Sequence, residues 1–352
     1  MTMTTLTRQI TGGVDTHLDV HVAAALDERG ALLGVESFET TPVGYDKLLT
    51  WLRSFGTVEL LGVEGTGSYG AGLTRHLHRE AVRVVEVDRP NRQRRRRHGK
   101  SDPEDAISAA RAAQGGDASG EAKTRDGNVE AMRVLRVARA SARKGRTQAL
   151  NQMRSLISTS PDCVRSDLRH LNVYRLLERA ASYRPGTKRD LVSINKLTLR
   201  MLARRAIELE AEVTEIDAIL KPMVKETAPA LAALSGVGTD VASALLVAAG
   251  DNPERLRNEA SFAHLCGTSP IDASSGKHER HRLNRSGDRQ ANSALWHVVI
   301  TRMVSDPRTR EYIARRTKEG QTKKEAIRCL KRYIAREVYN NLPMEHLAID
   351  SP

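Results

Sequence analysis

GGVDTHLDVHVAAALDERGALLGVESFET, residues 12–40, decides the fold of the first part of the chain. Apolar and β-branched residues occupy alternate positions from Val14 to Val22, and ERG makes a turn before a second apolar run. Alternation of this kind is typical of strands, so the sequence predicts strands across this stretch. Asp15 lies within the apolar pattern, where a carboxylate is costly unless a cation pairs with it.

Helices and strands alternate beyond this stretch. The spacing predicts a helix in 41–55, a buried strand in 58–65, a helix in 69–80 and a further strand in 82–88. Three opening strands followed by alternating helix and strand indicate an α/β domain with a mixed sheet, placed at 1–125.

Four acidic residues stand where nuclease chemistry would use them: Asp15, Glu64, Asp102 and Asp105. Glu64 ends the predicted strand 58–65. Asp102 is the predicted N-cap of a helix, and Asp105 shares a face with it three residues on. Converging carboxylates hold divalent metal ions in phosphoryl transfer, which predicts Mg²⁺, or Mn²⁺ in its place. The order of these acids is that of the RNase H-like (RuvC-like) nuclease fold.

The central region, placed at 126–227, predicts long helices with a coiled-coil-like apolar stripe. The second of these helices is expected to end near Pro222. The stripe favours oligomerisation, and the alternative is an amphipathic helix that packs within its own domain.

The last region, placed at 228–352, is predicted to be mainly helical. LSGVGTDVASALL, residues 234–246, is similar to a helix-hairpin-helix, in which Gly236 and Gly238 would let backbone N–H groups approach a phosphate. A tight turn between two helices without a ligand is the alternative.

Two serines, Ser274 and Ser275, precede Gly276 in a basic segment. Serine attacks phosphorus only when its proton is removed and the phosphate oxygens are neutralised, which nearby arginines would help to do. Spacing alone favours a Ser-Gly turn on a DNA-binding surface. The predicted nucleic-acid-binding residues of this segment are Lys277, Arg280, Arg282, Arg285 and Arg289.

Charge points to a polyanionic partner. The formal net charge is +13 and the pI about 9.9, which favours nucleic acid. Aromatic residues make up 3% of the chain, too few for a surface dominated by base stacking. A phosphate-binding patch is predicted at Arg92, Arg94, Arg95, Arg96, Arg97 and Lys100.

The three cysteines lack disulfide or zinc spacing, no apolar run is long enough for a membrane span, and no signal peptide is evident. We expect a protein of the prokaryotic cytoplasm or nucleoid, without a membrane partner.

GVDTHLD, GVEGTGSYG and KSDPEDA resemble the aspartate–glutamate–aspartate–aspartate signature of the insertion sequence 110 family transposases. LSGVGTDVASALL and the segment from FAHLCGTSPIDASSG to HRLNRSGDRQANSAL are similar to the C-terminal domain of that family.

The resemblance implies a DNA recombinase with a RuvC-like domain and a serine-bearing domain. Asp15, Glu64, Asp102 and Asp105 would hold Mg²⁺, and a serine of ASSG, with Ser275 preferred over Ser274, would form a covalent link to DNA. A bridge RNA from the same element would pair with target and donor DNA, and a dimer or tetramer would assemble the composite site. The alternative is a RuvC-like, Mg²⁺-dependent, structure-selective nuclease that hydrolyses DNA without a covalent intermediate.

Overall fold

The computed structural model describes residues 8–87, 101–118, 120–186, 189–276 and 281–344. The chain forms two compact units. The first contains residues 1–127, 249–261 and 343–352, and the second contains 128–248 and 262–342.

A five-stranded mixed sheet forms the centre of the first unit, in the order β3-β2-β1-β4-β5. β1, β2 and β3 are antiparallel neighbours, whereas β4 runs parallel to β1 and to β5. The strands are β1 Gln9–Thr16, β2 Val20–Leu26, β3 Leu32–Glu39, β4 Thr57–Glu64 and β5 Arg83–Val87. The predicted mixed α/β architecture is confirmed, and residues 17–19 connect β1 to β2.

Among the described residues, three helices accompany this sheet: α1 Pro42–Phe55, α2 Ala71–Arg79 and α3 Asp102–Gln114. The Thr41 hydroxyl caps α1 by accepting a hydrogen bond from the Gly44 N–H at 3.1 Å. Leu48, Leu49 and Leu52 of α1 are buried in the sheet core, as their helical spacing predicts. The prediction for the start of α3 was wrong by one residue, because Ser101 is the N-cap and Asp102 begins the helix.

A segment from late in the chain belongs to the first unit. The Asn252 side chain is buried; it donates to the Ala122 carbonyl at 3.1 Å and accepts from the Thr124 N–H at 3.2 Å. Residues 120–122 in turn hydrogen-bond along β5, through Gly120 to Glu86 and through Ala122 to Val84. Residues 249–261 therefore extend the edge of the first unit, although they follow the long helices in sequence.

The remaining elements are mainly helical. They are α4 Asn128–Thr159, α5 Asp162–Leu168, α6 Val173–Ala181, α7 Leu191–Thr227, α8 Pro229–Ala232, α9 Thr239–Ala249, α10 Glu259–Leu265, β6 Ile271–Asp272, β7 His281–Arg282, α11 Arg289–Ser305, α12 Pro307–Lys318 and α13 Lys323–Tyr339. Within the part of the chain that the structure describes, none of the helices is both long and apolar enough to cross a membrane.

The two long helices α4 and α7 pack along each other within the chain. Their contact buries Met153 of α4 and Leu199 and Ala203 of α7. The expected end near Pro222 was wrong, because α7 continues through this proline to Thr227. A proline removes one helical hydrogen bond, and the burial of Leu220 and Val224 on either side holds the helix together across it.

Candidate active site

Asp15 lies near the end of β1 and is only 6% exposed. Val14 pairs with Val63 in the parallel register of β1 and β4, so Asp15 and Glu64 follow at equivalent positions on neighbouring strands. Equivalent positions send their side chains to the same face of a sheet. The Thr16 hydroxyl donates to the Glu64 carbonyl at 2.8 Å and ties the two strand ends together.

Helix α3 lies against the same face, and two glycines let it come close. A methyl group on Gly13 would lie 2.1 Å from the backbone nitrogen of Ala110, and one on Gly62 would lie 2.5 Å from the carbonyl oxygen of Ala109. Gly13 and Gly62 are paired across β1 and β4. Only glycine permits such an approach of a helix backbone to a strand. The helix that carries Asp102 and Asp105 therefore rests directly on the strands that carry Asp15 and Glu64.

The acids interact electrostatically. Burial raises the pKa of Asp15 above its usual value, and the nearby carboxylates of Asp105 and Asp102 raise it further, whereas His17 lowers it. Asp105 is itself buried. The structure thus brings Asp15, Asp102 and Asp105 together, with Glu64 on the adjacent strand end.

His17 lies between two of these acids and was not predicted as a site residue. Its Nε2 atom is 3.1 Å from the Asp15 carboxylate and 3.4 Å from the Asp102 carboxylate. One ligand atom from each of the three residues lies within 4.8 Å of the others, a spacing that suits a divalent cation. The sequence feature that could have indicated His17 is its position two residues after Asp15, directly beyond the end of β1.

The predicted serines lie in the second unit. β6 and β7 pair antiparallel through Ile271 with Arg282 and Asp272 with His281, and this short ladder forms the base of the serine loop. The backbone N–H of Ser274 donates to the Asp272 carboxylate at 2.8 Å. Hydrogen bonds from the side chain and the backbone of Ser274 hold the pKa of Asp272 below its usual value. Asp272 was not predicted, although Asp before Ser in a turn is a familiar local arrangement.

Two family models match the chain. One is described as "Transposase", of the DEDD IS110 type, and matches residues 12–160; the other is described as "Transposase IS116/IS110/IS902 family" and matches residues 228–314. The chain belongs to the IS110 family of transposases. The first match contains all four acids, and the second contains both serines.

A relative of this family is the "Insertion element IS110 uncharacterized 43.6 kDa protein" of Streptomyces coelicolor. It is 29% identical over 162 residues, which cover 44% of this chain and 38% of the relative. The matched part thus spans less than half of either protein.

The predicted nucleic-acid-binding residues of this IS110 family member are spread over several segments. Gly236 adopts a φ of +76° in the turn between α8 and α9, and Gly238 has open space around it. Helix α8 is a single turn, and the helix-hairpin-helix remains a prediction. Arg282, Arg285 and Arg289 are exposed around β7 and the start of α11. Two sets lie outside the described residues: Arg92, Arg94, Arg95, Arg96, Arg97 and Lys100, and Lys277 and Arg280.

Proposed function

We propose that the chain is a transposase that cuts and rejoins DNA with a metal-binding acidic tetrad and a serine nucleophile. The observation that supports this most directly is the convergence of Asp15, Asp102 and Asp105. The negative charges of Asp105 and Asp102 raise the pKa of the buried Asp15 carboxyl group. Such a cluster is costly for a folded protein unless a cation or a substrate group offsets it.

The donor set fits a divalent metal. Carboxylate oxygens from Asp15, Asp102, Asp105 and Glu64 are ligands that Mg²⁺ and Mn²⁺ accept, and the imidazole of His17 adds a nitrogen that suits Mn²⁺ better than Mg²⁺. When bound, a divalent ion neutralises charge that develops on phosphate oxygens. The protein's own part is to fix these side chains through the close packing of α3 on β1 and β4.

The serine loop would supply the nucleophile. A serine Oγ–P bond forms while the P–O bond to the leaving strand breaks, and the leaving oxygen takes up a proton as a hydroxyl group. The serine proton needs an acceptor, and the Asp272 carboxylate already accepts hydrogen bonds from Ser274. This contact supports Ser274 as a nucleophile, whereas the family pattern favours Ser275, next to Gly276.

We further infer partners of two kinds. The net charge of +13 supports binding of target and donor DNA and of a bridge RNA encoded by the same element. Leu191, Ile194 and Met201 of α7 are 66%, 49% and 64% exposed, and their helical spacing presents an apolar stripe. This stripe supports assembly of a homo-oligomer, a dimer or a tetramer.

A denaturing gel tests the mechanism. The chain is incubated with element DNA, element RNA and Mg²⁺, then denatured, and DNA that remains attached to protein is measured. We expect an adduct that is lost when the nucleophilic serine is replaced, so Ser274→Ala and Ser275→Ala are tested singly and together.

Ser305→Ala is the matched control, because its hydroxyl is exposed and bonds only locally to the Thr301 carbonyl among the described contacts. Cleavage without any adduct would instead support the hydrolytic structure-selective nuclease. Adduct formation that survives the double serine variant would exclude both serines as the nucleophile.

A further inference from the structure

A cavity of about 550 Å³ lies in the second unit, beside the base of the serine loop. Four parts of the chain form it: residues 267–270, residues 283–285, Asn292 of α11, and α13 from Arg328 to Tyr333. Pro270 directly precedes β6 and Leu283 directly follows β7, so the cavity adjoins both strands of the serine-loop base. Cavities of roughly 300–1,000 Å³ are the usual size for small-molecule sites.

The wall of this cavity is cationic. Arg285, Arg328, Lys331 and Arg332 line it, and among the described lining residues there is no Asp or Glu. A cavity lined in this way gathers cationic side chains, and a phosphate group is the ligand that it suits.

Lys331 is held in place by a neutral group. Its ammonium donates to the Asn292 side-chain oxygen at 2.6 Å, and the Asn292 amide donates to the Cys266 carbonyl at 2.7 Å. Burial, together with Arg328, lowers the pKa of Lys331. Elsewhere in the same unit, Arg302 is 13% exposed and pairs with the Glu337 carboxylate at 2.7 Å. The contrast shows that Asn292 orients the Lys331 ammonium without neutralising its charge.

The cavity also has an apolar wall. Leu283 is 50% exposed and Tyr333 is 57% exposed, and both line it. The Tyr333 ring packs edge-on against Tyr312, with centroids 6.1 Å apart, which fixes its orientation. An oriented aromatic ring beside several cations is the combination that binds one nucleotide, with the base on the ring and the phosphate on the cations.

We propose that this cavity binds a single unpaired nucleotide of a DNA strand, with its phosphate at Lys331 and the surrounding arginines and its base against Tyr333. The assignment to DNA rests on the proposed function, because the cavity adjoins the loop whose serine would attack DNA. An unpaired nucleotide held here would fix the position of the strand next to that loop.

A binding assay tests the proposal without catalysis. The full chain in EDTA is titrated with a DNA duplex that carries one unpaired 2-aminopurine nucleotide, and with the same duplex carrying an abasic residue instead. Because stacking on an aromatic side chain is worth about 1–3 kcal/mol, we expect about 5- to 150-fold tighter binding of the intact nucleotide. Stacking on Tyr333 should also change the 2-aminopurine fluorescence.

Tyr333→Leu should abolish the preference for the intact nucleotide, whereas Lys331→Gln removes a phosphate contact that both duplexes share and should weaken the binding of both. Two matched controls should keep the wild-type affinity and the preference: Tyr174→Leu, which removes an 80% exposed tyrosine of the same unit, and Lys324→Gln, which removes one exposed charge of α13 outside the cavity. Thermal unfolding of each variant checks that the fold is intact.

Equal affinity of the wild type for intact and abasic DNA would overturn the proposal, as would a preference that survives Tyr333→Leu or an affinity that Lys331→Gln leaves unchanged. A preference for the corresponding unpaired RNA nucleotide, lost in Tyr333→Leu, would show that the assignment to DNA is wrong. Since the assay needs neither metal nor serine chemistry, its failure is distinct from absence of the covalent adduct.

Discussion

The two units of the molecule bury charge in opposite ways. In the second unit, Arg139 is 12% exposed, with its guanidinium 2.6 Å from the Asp217 carboxylate and 3.0 Å from that of Asp240. Arg136 is 15% exposed and shares Asp240, at 2.9 Å, and the Ser243 hydroxyl, at 2.7 Å. Both of these arginines of α4 meet an acid from another helix.

Among the residues that the structure describes, the buried acid Asp15 of the first unit has two further acids as neighbours, Asp102 and Asp105, together with the imidazole of His17. Removal of one partner from a buried ion-pair network is destabilising because it leaves a charge uncompensated, whereas a cluster of like charges itself lowers stability and is typical of a functional site. The difference supports a structural role for the arginine network, and it agrees with the chemical role that we propose for the acids.

The largest expected effect comes from Asp15→Asn. Loss of a residue that only hydrogen-bonds to a metal ligand lowers metal affinity or activity by about 10- to 100-fold. Removal of a ligand itself should therefore lower DNA strand breakage by about 100-fold or more. Metal-free stability should not fall, because the buried Asp15 carboxylate is unfavourable when ionised. The affinity for Mn²⁺ should fall together with strand breakage. Strand breakage, Mn²⁺ titration and thermal unfolding in EDTA measure the three quantities.

Asp19→Asn is the control for this variant, because Asp19 is an exposed acid four residues further along. Full Mn²⁺ binding by Asp15→Asn would break the comparison, since the acid cluster would then have no chemical role.

Gly13→Ala should have the next largest effect. The added methyl group would overlap the α3 backbone, so the helix that carries Asp102 and Asp105 must move away from β1. Displacement of a catalytic group by about 1 Å can cost about 100-fold in rate, and overpacking costs about 1–3 kcal/mol in stability. Gly120→Ala is the matched control, because a methyl group at Gly120 meets nothing within 4 Å. Strand breakage by Gly13→Ala at the wild-type rate would show that the close packing of α3 on β1 is not needed for strand breakage.

Arg139→Ala tests the other side of the comparison. It leaves Asp217 and Asp240 without one cation, and because these acids are 40% and 45% exposed we expect a loss of about 1–2 kcal/mol in the free energy of unfolding. Metal binding should be unchanged. Denaturant unfolding and Mn²⁺ titration check both statements.

The paired control is Arg165→Ala, which breaks an exposed ion pair with Asp162 in the same unit and should change stability by less than about 0.5 kcal/mol. A change in metal affinity in Arg139→Ala would contradict the separation of roles.

The smallest effect concerns pH and His21 of the first unit. This fully buried ring stacks on Tyr45, and burial lowers its pKa from 6.5 to about 4. Between pH 6.5 and pH 4, His21 is therefore protonated in the unfolded chain and neutral in the folded chain. The stability that is present above pH 6.5 is lost as the pH falls toward 4. Between pH 6.5 and 5 the loss is about 2 kcal/mol.

Urea unfolding of wild type and His21→Phe at pH 7 and pH 5 measures the difference. Asp15, with its raised pKa, shifts stability in the opposite direction in both proteins, so the comparison between them isolates His21. An identical pH dependence in the two proteins would contradict the prediction.

Local patterns in the sequence predicted much of the first unit. Alternating apolar residues marked β1 and β2, and helical spacing marked α1, because both patterns reflect which side chains face the core. The position of Glu64 at a strand end followed from the same patterns, whereas Asp15 was predicted only to lie within a strand, and β1 ends one residue after it. The sheet order and the parallel pairing of β1 with β4 are set by contacts between distant segments.

The remaining features depend on those distant contacts. Nothing local to Asn252 indicates that residues 249–261 pack on residues 120–124. Pro222 predicts a helix end, and only the burial of Leu220 and Val224 on both sides explains why α7 continues. The cavity behind the serine loop requires α13 to lie against residues 267–270, which no motif in the sequence indicates.

The glycine pair Gly13 and Gly62 gives a way to judge related genes from their sequences. A related gene can keep all four acids and both serines while losing a glycine at either position. Because any side chain there pushes α3 off the sheet, such a gene should encode a folded but catalytically silent protein. A survey of related genes should therefore score these two glycine positions together with the acids. A search for the acids and serines alone would count such inactive genes as active.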